Sequence, residues 1–273
     1  MAFHPLRPVP IAPDVERLYE AWLTELERTL ADPDCDRNEL CRDLLTDIYY
    51  PGLRGTETDG LPRETLIALA QMDPRNVTLE PEYYEDIDLE RYTPRKPLIW
   101  LWEMFDRSPL GENVALGVRF RRILAPHVFG SCGKNFKAFT FVRVSFGYNL
   151  HVGDNVVIHR HVLLDDRGGI EIGNGASVSD FANVYSHSHD IVDGRDVNLP
   201  TTRIGAGARI TYHATILAGT HVAEDSMVGA GSILTKDTEP HWVYVGVPAK
   251  KIKEKPADAQ ARKAPRTPDP LAG

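Results

Sequence analysis

Two periods of apolar positions divide this chain. After Asp14, a residue suited to capping, Val15, Leu18, Trp22, Leu26 and Leu30 recur at helical spacing. Leu40, Leu44, Leu45 and Ile48 predict a second helix, and "LPRETLIALAQM" (61–72) a third, with Pro62 near its first turn. "PLIWLWEMF" (97–105) is apolar on nearly every side and is expected to pack against something large. The cluster "RFRR" (119–122) reads by default as a solvated helix face. Residues 1–125 are therefore expected to form a helical region.

Beyond it the period changes. Val152, Ile158 and Leu164 are six residues apart, as are Ile172, Val178 and Val184, and the six positions Ile204, Ile210, Ile216, Val222, Val228 and Leu234. Four residues after each comes a smaller one, such as Ala176, Ala208, Ala214 or Ser226, and turn-formers such as "GDN" and "GNG" lie between. A six-residue period fits neither a helix, at about 3.6, nor a strand, at about 2. It fits a parallel β-helix, in which short strands make triangular coils and the branched residue points into a narrow core. The expected class is thus mainly β, with residues 126–253 forming the β-helix.

The register also shows where the coils are interrupted. Leu164 and Ile172 are eight residues apart, which predicts a bulged corner at Gly168-Gly169. After Val184 the next inward residue is due at 190, yet the beat resumes at Ile204, so "DIVDGRDVNLPTTR" (190–203) is extruded. A protruding loop can wall a pocket that a regular coil cannot. The loop follows at once on "YSHSH", which brings His187 and His189 to its base. Asp190 either orients a histidine or begins the turn.

Composition narrows the chemistry. The 273 residues carry a net charge of −8, with 42% hydrophobic and 26% charged positions, as in an ordinary soluble globular protein. An acidic chain is not a general nucleic-acid binder, so an anionic ligand needs a local basic patch. Cys35, Cys41 and Cys132 have no CxxC spacing, which argues against a disulfide framework or a cysteine zinc site. No apolar run approaches the roughly 18 residues of a membrane span, and the first residues do not read as a signal peptide. A cytoplasmic protein is expected. The tail "EKPADAQARKAPRTPDPLAG" (254–273) reads as disordered, without a site.

"SFGYNLHVGDN" (145–155), "IGNGASVSDFANVYSHSHD" (172–190), "VGAGSILTKD" (228–237) and "VYVGVPAKKIK" (243–253) resemble the hexapeptide-repeat acyltransferases. The similarity is to the maltose, galactoside and nodulation-factor O-acetyltransferase type, over roughly half the chain. The resemblance implies a left-handed β-helix, a homotrimer with active sites between subunits, and acetyl-CoA or another acyl-CoA as co-substrate without a metal. Counting without a gap from "IG" at 172–173, the family's general base falls on His189. His187 is then a neighbour, an orienter or an acceptor contact. The family's CoA groove matches Ala230, Thr235 and Lys236, with Lys250 or Lys253 meeting phosphates. "ARITYH" (208–213) stands where the family often has "VWIG", placing Arg209 and Thr211 where the pantetheine arm is expected to pass. On the acceptor side, Ser145 matches a family contact, His159 replaces an asparagine, and the aspartate falls on Asp166 with a one-residue shift.

The expected reaction is O-acetyl transfer to a hydroxyl of a sugar or glycosylated metabolite. The first alternative is N-acyl transfer to an amino sugar or similar amine. A second is a zinc carbonic anhydrase on the same coil architecture, for which His159, His161, His187, His189 and His213 are the available imidazoles. A third is a β-helix scaffold without turnover.

Overall fold

The computed structural model describes residues 9–256 and Leu271. The expectation of a disordered tail therefore falls mostly outside the described residues, although Glu254 closes a strand, Lys250–Glu254.

The helical periods give α1 (Pro13–Ala31), α2 (Arg37–Tyr49) and α3 (Arg63–Ala70), followed by α4 (Leu89–Tyr92), α5 (Lys96–Arg107), α6 (Pro109–Glu112) and α7 (Val114–Val128). Asp14 is not the cap of α1: Pro13 already occupies the first turn, and Ala12 precedes it without a side-chain bond. Asp36 does cap α2, its carboxylate accepting from the Asn38 and Glu39 amides. Helix α5 buries Leu98, Leu101, Trp102 and Phe105, and the Phe105 ring stacks on Phe120 of α7 with centroids 3.8 Å apart.

The expectation for "RFRR" is overturned at Arg121. Its side chain is buried and donates to Asp106 Oδ1, Gly111 O and Ala138 O. Asp106 Oδ2 in turn accepts the Phe141 amide, so one carboxylate joins α5, α7 and the first coil. A guanidinium with several fixed acceptors tolerates burial that a lone charge does not.

From Ser131 the chain winds into parallel coils built on three sheets. The first sheet stacks Ser131–Cys132, Leu150–Val152, Ile170–Ile172, Thr202–Ile204 and His221–Val222. The second runs from Lys137–Ala138 up to Trp242–Val245, where Lys250–Glu254 adds an antiparallel strand. The third stacks Arg143–Val144, Leu163–Asp165, Asn183–Tyr185, Thr215–Ile216 and Ile233–Leu234. All twelve branched aliphatic positions of the six-residue series are buried. One coil precedes the series: Cys132, Ala138 and Val144 lie in register against Val152, Ile158 and Leu164. Cys132 and Ala138 are not branched, so that coil carries a weaker periodic signal.

Both interruptions occur where the period breaks. Gly169 takes φ +104°, and a Cβ on Gly168 would stand 2.1 Å from the Ser186 carbonyl and 2.5 Å from Leu199 C. Only glycine fits there. The extruded segment is an antiparallel hairpin, Ser188–His189 against Val197–Asn198, so it begins slightly before residue 190. It ends by Thr202, which is already paired with Ile170.

Candidate active site

The third sheet has two edges, and the residues singled out in the sequence divide between them. Ser145, Asp165 and His187 stand at the edge from which the hairpin leaves. Asp165 is the last residue of Leu163–Asp165, in register with Tyr185, so its carboxylate lies at the corner below the histidines. That carboxylate is buried, accepts from Ser145 Oγ at 3.0 Å and pairs with His187 Nδ1. The two oxygens thus hold a hydroxyl on one side and an imidazole on the other.

His189 lies on the hairpin itself. Its Nδ1 is 2.6 Å from the Gly194 carbonyl across the hairpin. A carbonyl oxygen only accepts, so Nδ1 carries the hydrogen and the neutral ring keeps its lone pair on Nε2. The ring is exposed and meets His187 edge to face, with centroids 5.3 Å apart. Asp190 does not touch it; its carboxylate accepts the Val192 and Asp193 amides, which holds it below the usual carboxylate range and makes it the turn residue.

Asp166 is a correction. It is fully buried, and its oxygens accept the amides of Ser145, Phe146 and Asn149 at 2.8–3.1 Å. Burial pushes its carboxyl up to about 6, against the lowering effect of those amides. It shapes the 145–149 turn and has no surface for an acceptor; Asp165 is the carboxylate paired with His187. Sequence reading missed this because adjacent residues of a corner point in different directions, and a count along the chain does not resolve them.

A wall from the helical region was also missed. Arg167, buried, donates to both Asp86 oxygens at 3.1 and 2.7 Å and lies 4.1 Å over the Tyr84 ring. The Asp88 amide donates to Tyr148 Oη, and Arg91 donates to the Tyr148 carbonyl. The segment between α3 and α4 is therefore fastened against the corner that carries Asp165.

His159, Thr211 and Ala230 lie at the opposite edge, where the chain passes from the second sheet to the third. His159 stacks on Phe139 with centroids 5.2 Å apart, and burial holds its imidazole below its usual pKa despite nearby Asp180. Ala230 is exposed. Thr211 differs from expectation: it is buried and its hydroxyl donates to the Val228 carbonyl of the next coil, so its one hydrogen is committed within the coils. Thr235 and Lys236 are exposed at the histidine edge, on a higher coil, and Lys250 and Lys253 on the final strand. Lys251 between them is committed to Glu239 and lies 3.7 Å from the centroid of the Trp242 ring.

At this corner next to Phe139 and His159, rings form a column. Phe141, His161, Phe181 and His213 stack one above another with centroids 4.7–4.9 Å apart. The imidazoles His161 and His213 are thereby placed against phenyl faces. Among the described residues no group of three or more His, Cys, Asp or Glu side chains is arranged to hold a metal ion.

No protein-family model matches the chain. It is 30% identical over 142 residues to the galactoside O-acetyltransferase of Escherichia coli K12, spanning 50% of this chain and 70% of that one. The chain belongs to the hexapeptide-repeat acetyltransferase family. A putative acetyltransferase of Dictyostelium discoideum is 32% identical over 145 residues, covering 51% of this chain and 76% of its own. Among solved structures, a maltose O-acetyltransferase from Clostridium difficile 630 superposes with a TM-score of 0.55 at 27% identity, covering 64% of this chain and 92% of that one. The coils are accordingly the family's left-handed β-helix. A galactoside acetyltransferase in complex with coenzyme A shares the fold, with a TM-score of 0.57 at 23% identity over 65% of this chain and 88% of its own. No helix among the described residues of this acetyltransferase is long and apolar enough to cross a membrane.

Proposed function

We propose that the protein transfers an acetyl group from acetyl-CoA to a hydroxyl of a sugar or glycosylated metabolite, with His189 as general base. The observation that carries this is the commitment of His189 Nδ1 to the Gly194 carbonyl, which leaves Nε2 as the lone-pair nitrogen of the neutral ring. The acceptor hydroxyl gives its proton to Nε2 as its oxygen attacks the thioester carbonyl. The tetrahedral oxyanion needs a backbone N–H donor, and the imidazolium returns the proton to the departing thiolate. Such a base contributes about 10²–10⁴-fold in rate.

Ser145 and His187, fixed through Asp165, are the residues proposed to meet the acceptor, with the Tyr84–Arg167 segment as a wall beside them. Lys236, Lys250 and Lys253 are the cations proposed for CoA phosphates, with Ala230 and Thr235 along the groove. Ser145 and His187, at the hairpin edge, and His159 and Ala230 stand on opposite edges of one sheet. A complete site therefore joins the hairpin edge of one copy to the His159–Ala230 edge of another, as a homotrimer with sites between subunits provides. Release of free CoA thiol from acetyl-CoA over a panel of sugars, glycosides and amino sugars tests the reaction. Release only with amines would replace hydroxyl by amine transfer, with the same base; no release with any acceptor would leave a scaffold.

The His187–Asp165 pair favours a second reading, in which a buried carboxylate orients His187 as the base. Separate alanine variants of the two histidines decide between them.

A further inference from the structure

We propose that the tip of the hairpin, Ile191 and Val192, docks on the Phe141–His161–Phe181–His213 ring column of a second copy of this chain. The inference rests on the proposed sharing of sites between copies and names the contact that makes it. Ile191 is 100% exposed and Val192 91% exposed, adjacent branched apolar residues at the end of a projecting loop. Nothing among the described residues covers them. A single exposed apolar residue is ordinary; two together on an extruded tip mark a surface meant to be covered.

The ring column offers the matching surface. Phe181 is 45% exposed and the flanking Tyr212 56% exposed, at the corner that also carries His159 and Ala230. The column is built at a cost. Phe141, His161, Phe181 and His213 all have left-handed backbone, with φ of 61°, 57°, 61° and 56°, where glycine or asparagine is the ordinary choice. Successive rings cover one another's faces, leaving a continuous strip of ring edges along the coil axis. Residues 190–196 carry Asp190, Asp193 and Asp196 against one cation, Arg195, and Arg160 beside the column already faces Asp180 at 4.0 Å, so apolar contact and not charge carries the pairing. A tip seated on the column brings His189, two residues before Ile191, to the edge that holds His159.

The test uses the full chain. Ile191→Asp with Val192→Asp changes only exposed side chains, so the fold of each copy is retained. Sedimentation velocity over a concentration series is expected to show self-association weakened by about 10²-fold or more, with turnover falling in parallel and recovering at high protein concentration. His189→Ala is expected to lower turnover by about 10²–10⁴-fold while sedimenting as the native chain does. As a second measurement, Ile191→Cys combined with Phe181→Cys is expected to form an intermolecular disulfide on oxidation, which neither single variant forms. The native thiols are held above their ordinary range by burial, Cys132 up to about 12, and react slowly.

Unchanged association of the aspartate variant, with no disulfide in the cysteine pair, overturns the docking while acetyl transfer stands. A native chain that stays monomeric and turns over also overturns it. A disulfide that forms in a chain releasing no CoA with any acceptor supports the docking and removes the enzymatic reading.

Discussion

Asp165 stands between Ser145 and His187, one carboxylate oxygen accepting the serine hydroxyl at 3.0 Å and the other paired with the imidazole. His187 is therefore held in one orientation by a buried group, whereas His189 is bonded to a carbonyl of its own loop. The two imidazoles touch edge to face, yet their supports differ, and so do the expected effects of removing them.

His189→Ala is expected to lower kcat by about 10²–10⁴-fold, with the fold and CoA affinity retained. His187→Ala and Asp165→Asn are expected to raise KM for the acceptor more than they lower kcat. Steady-state kinetics in both substrates checks this. A larger kcat loss for His187→Ala than for His189→Ala would transfer the role of base to the Asp165-paired ring.

Lys236→Ala and Lys253→Ala are expected to raise KM for acetyl-CoA with kcat little changed, because a phosphate contact binds ground and transition states alike. Raising the ionic strength is expected to move the native enzyme the same way. Initial rates against acetyl-CoA at two salt concentrations read both effects.

Gly168→Ala places a methyl group against the Ser186 carbonyl and the Leu199 backbone, neither of which is a flexible side-chain end. The base of the hairpin must move. A destabilisation of about 1–3 kcal/mol is expected, with a loss of turnover in the fraction that remains folded, measured by thermal unfolding and by thiol release.

Burial raises the Asp166 carboxyl to about 6 from 3.8. The folded chain then binds this proton more tightly than the unfolded chain does. Its contribution to stability is fully present below the unfolded value and is lost as pH rises through the folded one. Compared with Asp166→Asn, which does not titrate, the native chain is expected to lose up to roughly 3 kcal/mol of relative stability between about pH 4 and pH 6 and little beyond. Denaturant unfolding of the two chains across that range measures the difference.

The coils were readable because twelve branched residues step by six within three runs, and a coil stack buries every sixth residue. The hairpin was readable for the same reason, as a gap in the count. Three features were not. The Asp106–Arg121 pair joins residues 15 apart whose partners are backbone atoms, and no periodicity records it. The corner that separates Asp165 from Asp166 turns within one residue, so matching by count falls on the wrong neighbour. The ring column occupies left-handed positions with phenylalanine and histidine, residues that carry no turn signal. His189 was reached by counting, while the Gly194 carbonyl that sets its tautomer belongs to the closed hairpin alone.

A stack of coils has two open ends, and an open end bares both the core and unpaired strand edges to water. Here the lower end is closed from within the same chain: Asp106 holds the Phe141 amide, Arg121 reaches the Ala138 carbonyl, and Phe129 packs against Phe136. The helices from residue 96 onward are thus the floor of the solenoid. Shortening the chain past α5 would not release a smaller enzyme; it would leave a column with its lowest turn unsealed, prone to join edge to edge with others like it.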